Sequence, residues 1–355
     1  VESNSVLDVR LSGSLPERSP EDPFIRMLQP DRTLDLRDFK QSLENAARDD
    51  RVSVLWLRPR GLGGSWGTLQ HMRDALLEFR ESGKRVVAFA GPDGFGEKDY
   101  FLATAADAIY APPESDFTMN GFSLTISFYA ELLEKLEIET QVFRAGRYKS
   151  AVEPFMRSDM SPENERQYEA LLSDYSDAFI GTVSEARGIP EDSLRYWIRE
   201  EPVYTAAMAR EAGLIDSLLF ENEVEDLLQA EAEQEEDEDL TRIEIGRYAR
   251  VPASAVDGAP EGDDEIAVVY ANGTIVSGES QDNPGAPFGG GMLGSATFTD
   301  AVDEALDDED VRGIVVRVNS PGGSANASDV MWHAVRRAAE EKPVMVSMGA
   351  TAASG

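Results

Sequence analysis

Short apolar runs alternate with longer stretches of helical spacing along most of this chain. Val52–Leu57 reads Val-Ser-Val-Leu-Trp-Leu, the near-continuous run expected of a parallel strand buried on both faces. Val86–Ala90 and Ala108–Tyr110 read as further strands. A glycine loop, Gly61-Leu-Gly-Gly64, leads into a predicted helix over Gly67–Glu81, and Tyr100–Ala106 is predicted helical. Thr33–Arg48 carries helical periodicity. Ser161-Pro162 opens a long helix over 162–187, with a capping serine and a proline at the first helical position. Glu191–Glu200 and Thr205–Ala212 are predicted helices, and Ile266–Tyr270 restarts the strand pattern. The alternation predicts an α/β architecture with parallel sheets and flanking helices.

The rest of the chain reads as connections. Residues 1–32, rich in Pro, Ser and charge, are expected to form an N-terminal arm with one short strand, Val6–Leu11. Glu221–Asp239 is strongly acidic and reads as a solvated linker, and the Gly/Pro-rich Ser277–Gly294 reads as a mobile loop.

An internal repeat organises these pieces. With Val52 placed on Val311 and no gap, Leu55 meets Ile314, Leu57 meets Val316, Gly63-Gly64 meets Gly322-Gly323, and Ser65 meets Ser324. After one gap, Lys84 meets Lys342 and Val86-Val87 meets Val344-Met345. Two tandem copies of one fold unit follow. The expected division is an arm (1–32), a first copy (33–225), an acidic linker (226–262) and a second copy (263–355). The second copy stops just after its second strand, so a sheet of this kind calls for a continuation beyond Gly355.

Composition narrows the function. A chain of 355 residues suits about two domains. The absence of cysteine excludes a disulfide scaffold, a cysteine nucleophile and cysteine-ligated metal. Only two histidines occur, His71 and His333, both on predicted surface helices, so a His-rich metal site is excluded and a Ser-His-Asp triad is poorly supplied. The net charge of −34 repels phosphate backbones and argues against nucleic-acid partners. No stretch approaches the roughly 20 apolar residues of a spanning helix, and the chain starts without Met.

Three segments could carry chemistry. Asn319-Ser-Pro-Gly-Gly-Ser324 lies between a strand and a helix, where two glycines allow a tight turn and expose N–H groups able to stabilise an oxyanion. Ser354 sits among Ala352, Ala353 and Gly355, neighbours small enough to let a substrate carbonyl approach. A serine of this kind needs a base. Lys149, between a predicted strand and Pro154 and beside Ser150 and Ala151, could be drawn inside, where burial disfavours its charged form. Taken singly, each has a plainer reading: an ordinary strand-to-helix turn, a small-residue turn, a solvated loop lysine.

Together the three segments resemble the signature segments of the signal peptide peptidase A family, in its long form with two tandem repeats. Tyr148-Lys-Ser-Ala-Val-Glu-Pro-Phe155, Asn319–Ser324 and Val346–Gly355 carry the likeness, and Thr205-Ala through Gly213-Leu-Ile-Asp216 is similar to a further family pattern. The resemblance implies a ClpP/crotonase-like fold and a Ser-Lys dyad protease without metal or cofactor. Ser354 would be the nucleophile and Lys149 its general base; Gly322 or Gly323, with Gly355, would donate oxyanion N–H groups. It further implies cleaved signal peptides as substrates, a homo-oligomer of tetramer size, and attachment at the periplasmic face of the inner membrane through a segment absent from this chain. In the first copy, the Ser354 position falls on Gly96 or Glu97, neither a nucleophile, so the two copies are expected to share one site. The alternatives are a crotonase-like acyl-CoA enzyme and a catalytically inactive scaffold.

Overall fold

The computed structural model describes residues 1–17, 34–235, 239–256, 264–281 and 291–354. The chain is a mixed α/β protein with parallel sheets, divided into two compact units. The first comprises Val1–Gly63 and Met72–Val251, the second Gly64–His71 and Pro252–Gly355.

The first unit holds a six-stranded sheet of β1 (Ser5–Gly13), β2 (Val52–Leu62), β3 (Arg85–Phe89), β4 (Ala108–Ala111), β5 (Ser217–Leu218) and β6 (Arg242–Glu244). Its order is β5-β4-β3-β2-β1-β6, with every pair parallel. The connections carry α1 (Leu36–Arg48), α2 (Trp66–Arg80, of which Met72–Arg80 belong to this unit), α3 (Glu97–Ala103), α4 (Ala130–Lys135), α5 (Glu153–Met156), α6 (Pro162–Arg187), α7 (Glu191–Arg199), α8 (Ala206–Glu211), α9 (Glu221–Glu231) and α10 (Ile245–Tyr248). The apolar run in β2 is buried on both faces, as its composition requires: Val54, Leu55, Trp56 and Leu57 are all inaccessible.

Two expectations are corrected in this unit. Residues 5–13 do not form an arm. β1 is an interior strand between β2 and β6, and its polar residue Asp8 is buried because the Arg58 and Arg10 guanidinium groups pair with it. Nor is the first part of the acidic run a linker. α9 lays Val224 and Leu228, with Ala232 just beyond it, against Val6, Trp56 and Phe89. Those three residues are spaced at i, i+4 and i+8, a stripe of one helix face hidden among glutamates. β6 and α10 then return the chain to the same unit, which extends to Val251.

The second unit holds β7 (Glu265–Asn272), β8 (Thr274–Val276), β9 (Met292–Gly294), β10 (Val311–Ser320) and β11 (Val344–Ala352), with α11 (Ser295–Asp307) and α12 (Ala325–Glu341). β11, β10 and β7 form a parallel sheet in that order, and β8 pairs with β9. Residues 282–290 of the predicted mobile loop lie outside the described residues. Phe298, Val302, Ile314, Val316 and Met331 centre the core.

The repeat is visible in strand register. Leu55 of β2 faces Val86 on β3 and Leu7 on β1. Its counterpart Ile314 on β10 faces Val344 on β11 and Ala267 on β7. The two aligned lysines also do one job. The Lys84 Nζ donates to the carbonyls of Ala46 and Asp49, both at 2.7 Å, at the end of α1. The Lys342 Nζ donates to the carbonyls of Ala305 and Asp308, at 2.9 and 2.6 Å, at the end of α11. Each ammonium therefore satisfies two carbonyls where the helix dipole is negative. Burial holds the Lys84 pKa below the ordinary lysine range, against the attraction of Asp49 and Asp50. Lys84→Met should destabilise the first unit by about 1–3 kcal/mol, and Lys342→Met should destabilise the second by a similar amount. Denaturant melts of the two variants, followed by unit-resolved hydrogen exchange, check both values.

Candidate active site

The signature turn of the second unit is held by its own polar groups. The Ser320 hydroxyl donates to the Gly273 carbonyl at 2.6 Å and accepts the Gly322 N–H at 3.1 Å. The Asn319 side-chain oxygen accepts the Thr351 N–H at 3.1 Å, and its carbonyl accepts the Gly273 N–H at 3.0 Å. The Ile275 N–H reaches the Gly322 carbonyl at 2.9 Å, while the Ser324 N–H reaches the Ile275 carbonyl at 2.9 Å. The Ser324 hydroxyl then caps α12, accepting the Ala327 N–H at 3.3 Å.

Ser354 lies just past the end of β11, exposed, with a φ of +31° that non-glycine residues seldom adopt. Its carbonyl accepts the Gly323 N–H at 3.0 Å, and the preceding Ala353 N–H donates to the Ser320 carbonyl at 3.1 Å. Ser354, Gly322 and Gly323 are therefore brought together. Gly355 lies outside the described residues. The glycines are required by proximity: a Cβ on Gly322, whose φ is +95°, would sit 1.7 Å from the Ser354 carbonyl oxygen, and one on Gly323 would sit 2.2 Å from the Ile275 carbonyl oxygen. Gly322→Ala should displace Ser354 and cut acylation of that residue by roughly tenfold or more. Rates of labelling by a serine-reactive probe, compared with the parent chain, measure the effect.

Lys149 belongs to the first unit. It is exposed, with Ser150 half-buried, so the expectation that small neighbours draw it inside is not met. No strand precedes it: residues 139–148 are irregular. The reason is local. α4 buries none of its side chains, and Phe143 is 95% exposed, so this segment has no apolar floor into which a lysine could sink.

A different residue of the segment is buried. Glu153 is 1% exposed. Its carboxylate accepts the Ser161 hydroxyl at 2.6 Å, the Ser161 N–H at 3.1 Å and the Arg144 Nη1 at 3.4 Å. The same Arg144 nitrogen donates to the Lys149 carbonyl at 3.3 Å, and the Glu153 N–H donates to the Ser150 carbonyl at 2.9 Å. Burial pushes the Glu153 pKa up, but the bonds from Ser161, Arg144 and Asn164 outweigh it and hold the group below the ordinary glutamate value. A carboxyl depressed in this way contributes stability that is complete above the unfolded value and fades as pH falls through the folded one. Amide protection across 150–164 should therefore weaken on acidification below about pH 4, and the pH step should vanish in Glu153→Gln. Hydrogen exchange corrected for intrinsic rates reads both.

The first copy has no serine at the corresponding position. Carried on along the sequence, the alignment of Val86 with Val344 matches Gly96, the residue before α3, to Ser354. There Asp99 turns back on the chain: its carboxylate accepts the N–H groups of Gly61 at 3.1 Å, Leu62 at 2.9 Å and Gly96 at 3.2 Å. The turn that presents a serine in the second unit is closed on an internal carboxylate in the first. Both histidines are exposed on helices, His71 on α2 and His333 on α12.

Comparison with known proteins adds a family to this geometry. Residues 78–235 match the model of Peptidase family S49. A protein named serine protease SPPA, chloroplastic, of Arabidopsis thaliana is 30% identical over 91% of this chain and 46% of its own length. Proteins named protease 4 are 33% identical in Salmonella typhi, over 90% of this chain and 51% of theirs, and 32% identical in Haemophilus influenzae, over 91% and 52%. The chain spans about half the length of the curated relatives it matches. By fold it is an α/β protein with parallel sheets, and the relatives it matches are named as proteases. Its residues 78–235 match peptidase family S49, and proteins named SPPA and protease 4 are similar to it over about nine tenths of its length.

Proposed function

We propose that this chain carries the dyad of a serine endopeptidase, with Ser354 as nucleophile and Lys149 as general base. The observation that carries the reading is the exposed Ser354, held through its own carbonyl against the glycine turn of Asn319–Ser324, in a chain whose residues 78–235 match family S49. The Ser354 Oγ attacks the scissile carbonyl and passes its proton to the Lys149 amine. The oxyanion forms against backbone N–H groups, for which Gly323 and Gly355 are the donors of choice. Gly323 becomes free for this task when the Ser354 carbonyl turns away from it. The lysine then protonates the leaving amine, and water, deprotonated by the Lys149 amine now neutral again, releases the acyl group from Ser354. No metal or cofactor enters the scheme.

The finer assignments belong to the same proposal. Substrates are cleaved signal peptides, extended and apolar, met at the membrane on the periplasmic face. Among the described residues no helix is long and apolar enough to cross a membrane, so attachment would use another segment. A homo-oligomer, of tetramer size, fits the exposed Leu132, Leu136, Ile138 and Phe143 of the lysine-bearing segment.

The test is covalent labelling of the full-length protein with a serine-reactive acylating or phosphonylating probe, from about pH 6 to about pH 10. Labelling should require both residues and be lost in Ser354→Ala and in Lys149→Ala. Labelling that survives either change sinks the dyad, and turnover of acyl thioesters without peptide cleavage would move the assignment to a crotonase-like enzyme.

A further inference from the structure

The segment around Lys149 raises a mechanical question. A general base must be held to within a fraction of an ångström, because a misplacement of about 1 Å can cost roughly a hundredfold in rate. Yet the neighbouring side chains Leu132, Ile138, Phe143 and Tyr148 are about half exposed or more, and the loop has no regular structure from 139 to 149. Apolar packing does not fix this loop within the unit.

Polar contacts hold it instead: from α6 the Gln167 Nε2 donates to the Tyr148 carbonyl at 3.4 Å and the Arg166 Nη1 to the Tyr148 hydroxyl at 3.2 Å, and one group just after the loop is buried. Glu153, four residues after the lysine, is buried, and its carboxylate meets donors from two directions. On one side are the hydroxyl and N–H of Ser161, the N-cap of α6, a helix of 26 residues. On the other is Arg144 Nη1, which at the same time holds the Lys149 carbonyl. The Ser161 hydroxyl is shared as well, since it accepts the Asn164 N–H at 3.2 Å as the helix cap. The chain of contacts runs from the first turn of a long helix, through one carboxylate and one guanidinium, to the backbone of Lys149. The chemistry suits a carboxylate and no neutral group of that size. An anion is favoured at a helix N-terminus, and a buried carboxylate with several donors escapes the penalty of a bare one.

We propose that Glu153 is a positioning residue for the reaction: through Arg144 and Ser150 it clamps the backbone of Lys149 to the start of α6 and so sets where the amine is presented. The proposal rests on the reading of Lys149 as general base.

The experiment uses the full-length protein with Glu153→Gln and Arg144→Met, beside Lys149→Ala. Arg144→Met removes the link to the Lys149 carbonyl and leaves the Glu153–Ser161 contacts in place, so it reports even if Glu153→Gln folds poorly. Two quantities are read: the maximal rate constant of Ser354 labelling per folded molecule, separated from the probe's half-saturation, and the rate of tryptic cleavage after Lys149. In both variants the labelling constant should fall by roughly tenfold or more with half-saturation within about twofold, and cleavage after Lys149 should accelerate. Unchanged labelling constants in both variants, with Lys149→Ala inactive, overturn the positioning role and spare the dyad. So does a loss confined to the fraction of molecules that label, the mark of a merely structural residue. Full labelling in Lys149→Ala overturns the dyad, and with it any base for Glu153 to position.

Discussion

Two backbones meet at the Gly322-Gly323 turn more closely than any side chain would allow, and the geometry around Ser354 follows from that approach. The positions where Cβ atoms would lie are occupied by the carbonyl oxygens of Ser354 and Ile275. The absent side chains let the Gly323 N–H reach the Ser354 carbonyl and let Ile275 bridge the turn from the other side. Asn319 and Ser320 then have no freedom left. Their side chains supply the bonds that the tight backbone cannot make to itself, to the N–H of Thr351 and the carbonyl of Gly273. A signature of six residues is in this sense one object, whose polar members satisfy the backbone groups around it and whose glycines permit the contact.

The two copies show which parts of the unit are scaffold and which are site. Strand register, the serine cap of the helix after the turn, and the lysine that closes the preceding helix are the same in both. Ser65 accepts the Thr68 N–H at 3.1 Å just as Ser324 accepts that of Ala327, and Lys84 and Lys342 bind matching carbonyls. The copies part company at the end of the strand after the helix. There the second unit offers Ser354, while the first offers Gly96 and folds the Asp99 carboxylate onto three N–H groups. Once a carboxylate fills that cluster of donors, the turn is a stability element, because removing it would orphan the amides it serves.

How much of this the sequence disclosed depended on the range of the interaction. The strand-turn-helix order was legible because its causes are local: a continuous apolar run in Val52–Leu57, a glycine pair, a serine before a helical period. The repeat was legible because the glycine pairs keep one register against their strands. β1 was read as a short strand, Val6–Leu11, but placed in an arm, because prolines and charges follow it and Asp8 interrupts it; what buries Asp8 is Arg58, fifty residues away, its guanidinium 3.8 Å from the centre of the Trp56 ring. α9 was missed because average acidity conceals a three-residue apolar stripe. The exposure of Lys149 was misjudged because small neighbours allow burial but do not supply a surface to be buried against. Glu153 lay inside the recognised segment, but its significance needs Ser161 and Arg144, which no local pattern joins to it.

The buried carboxylates show why net charge says little about the interior. Asp8, Asp99 and Glu153 are each at most 5% exposed in a chain whose formal charge is −34. Repulsion among surface acids acts through solvent and is screened over about 10 Å, whereas each of these three is decided within one hydrogen-bond shell. Asp8 is met by arginines, Asp99 by backbone amides, and Glu153 by a helix cap and an arginine. The two candidate catalytic residues consequently depend on different physics. Ser354 is held by backbone contacts to a glycine turn at the end of a sheet packed on an apolar core. Lys149 stands on a loop whose order comes from a polar network, where geometry is set by direction and charge, and where one lost donor changes the position of everything attached to it.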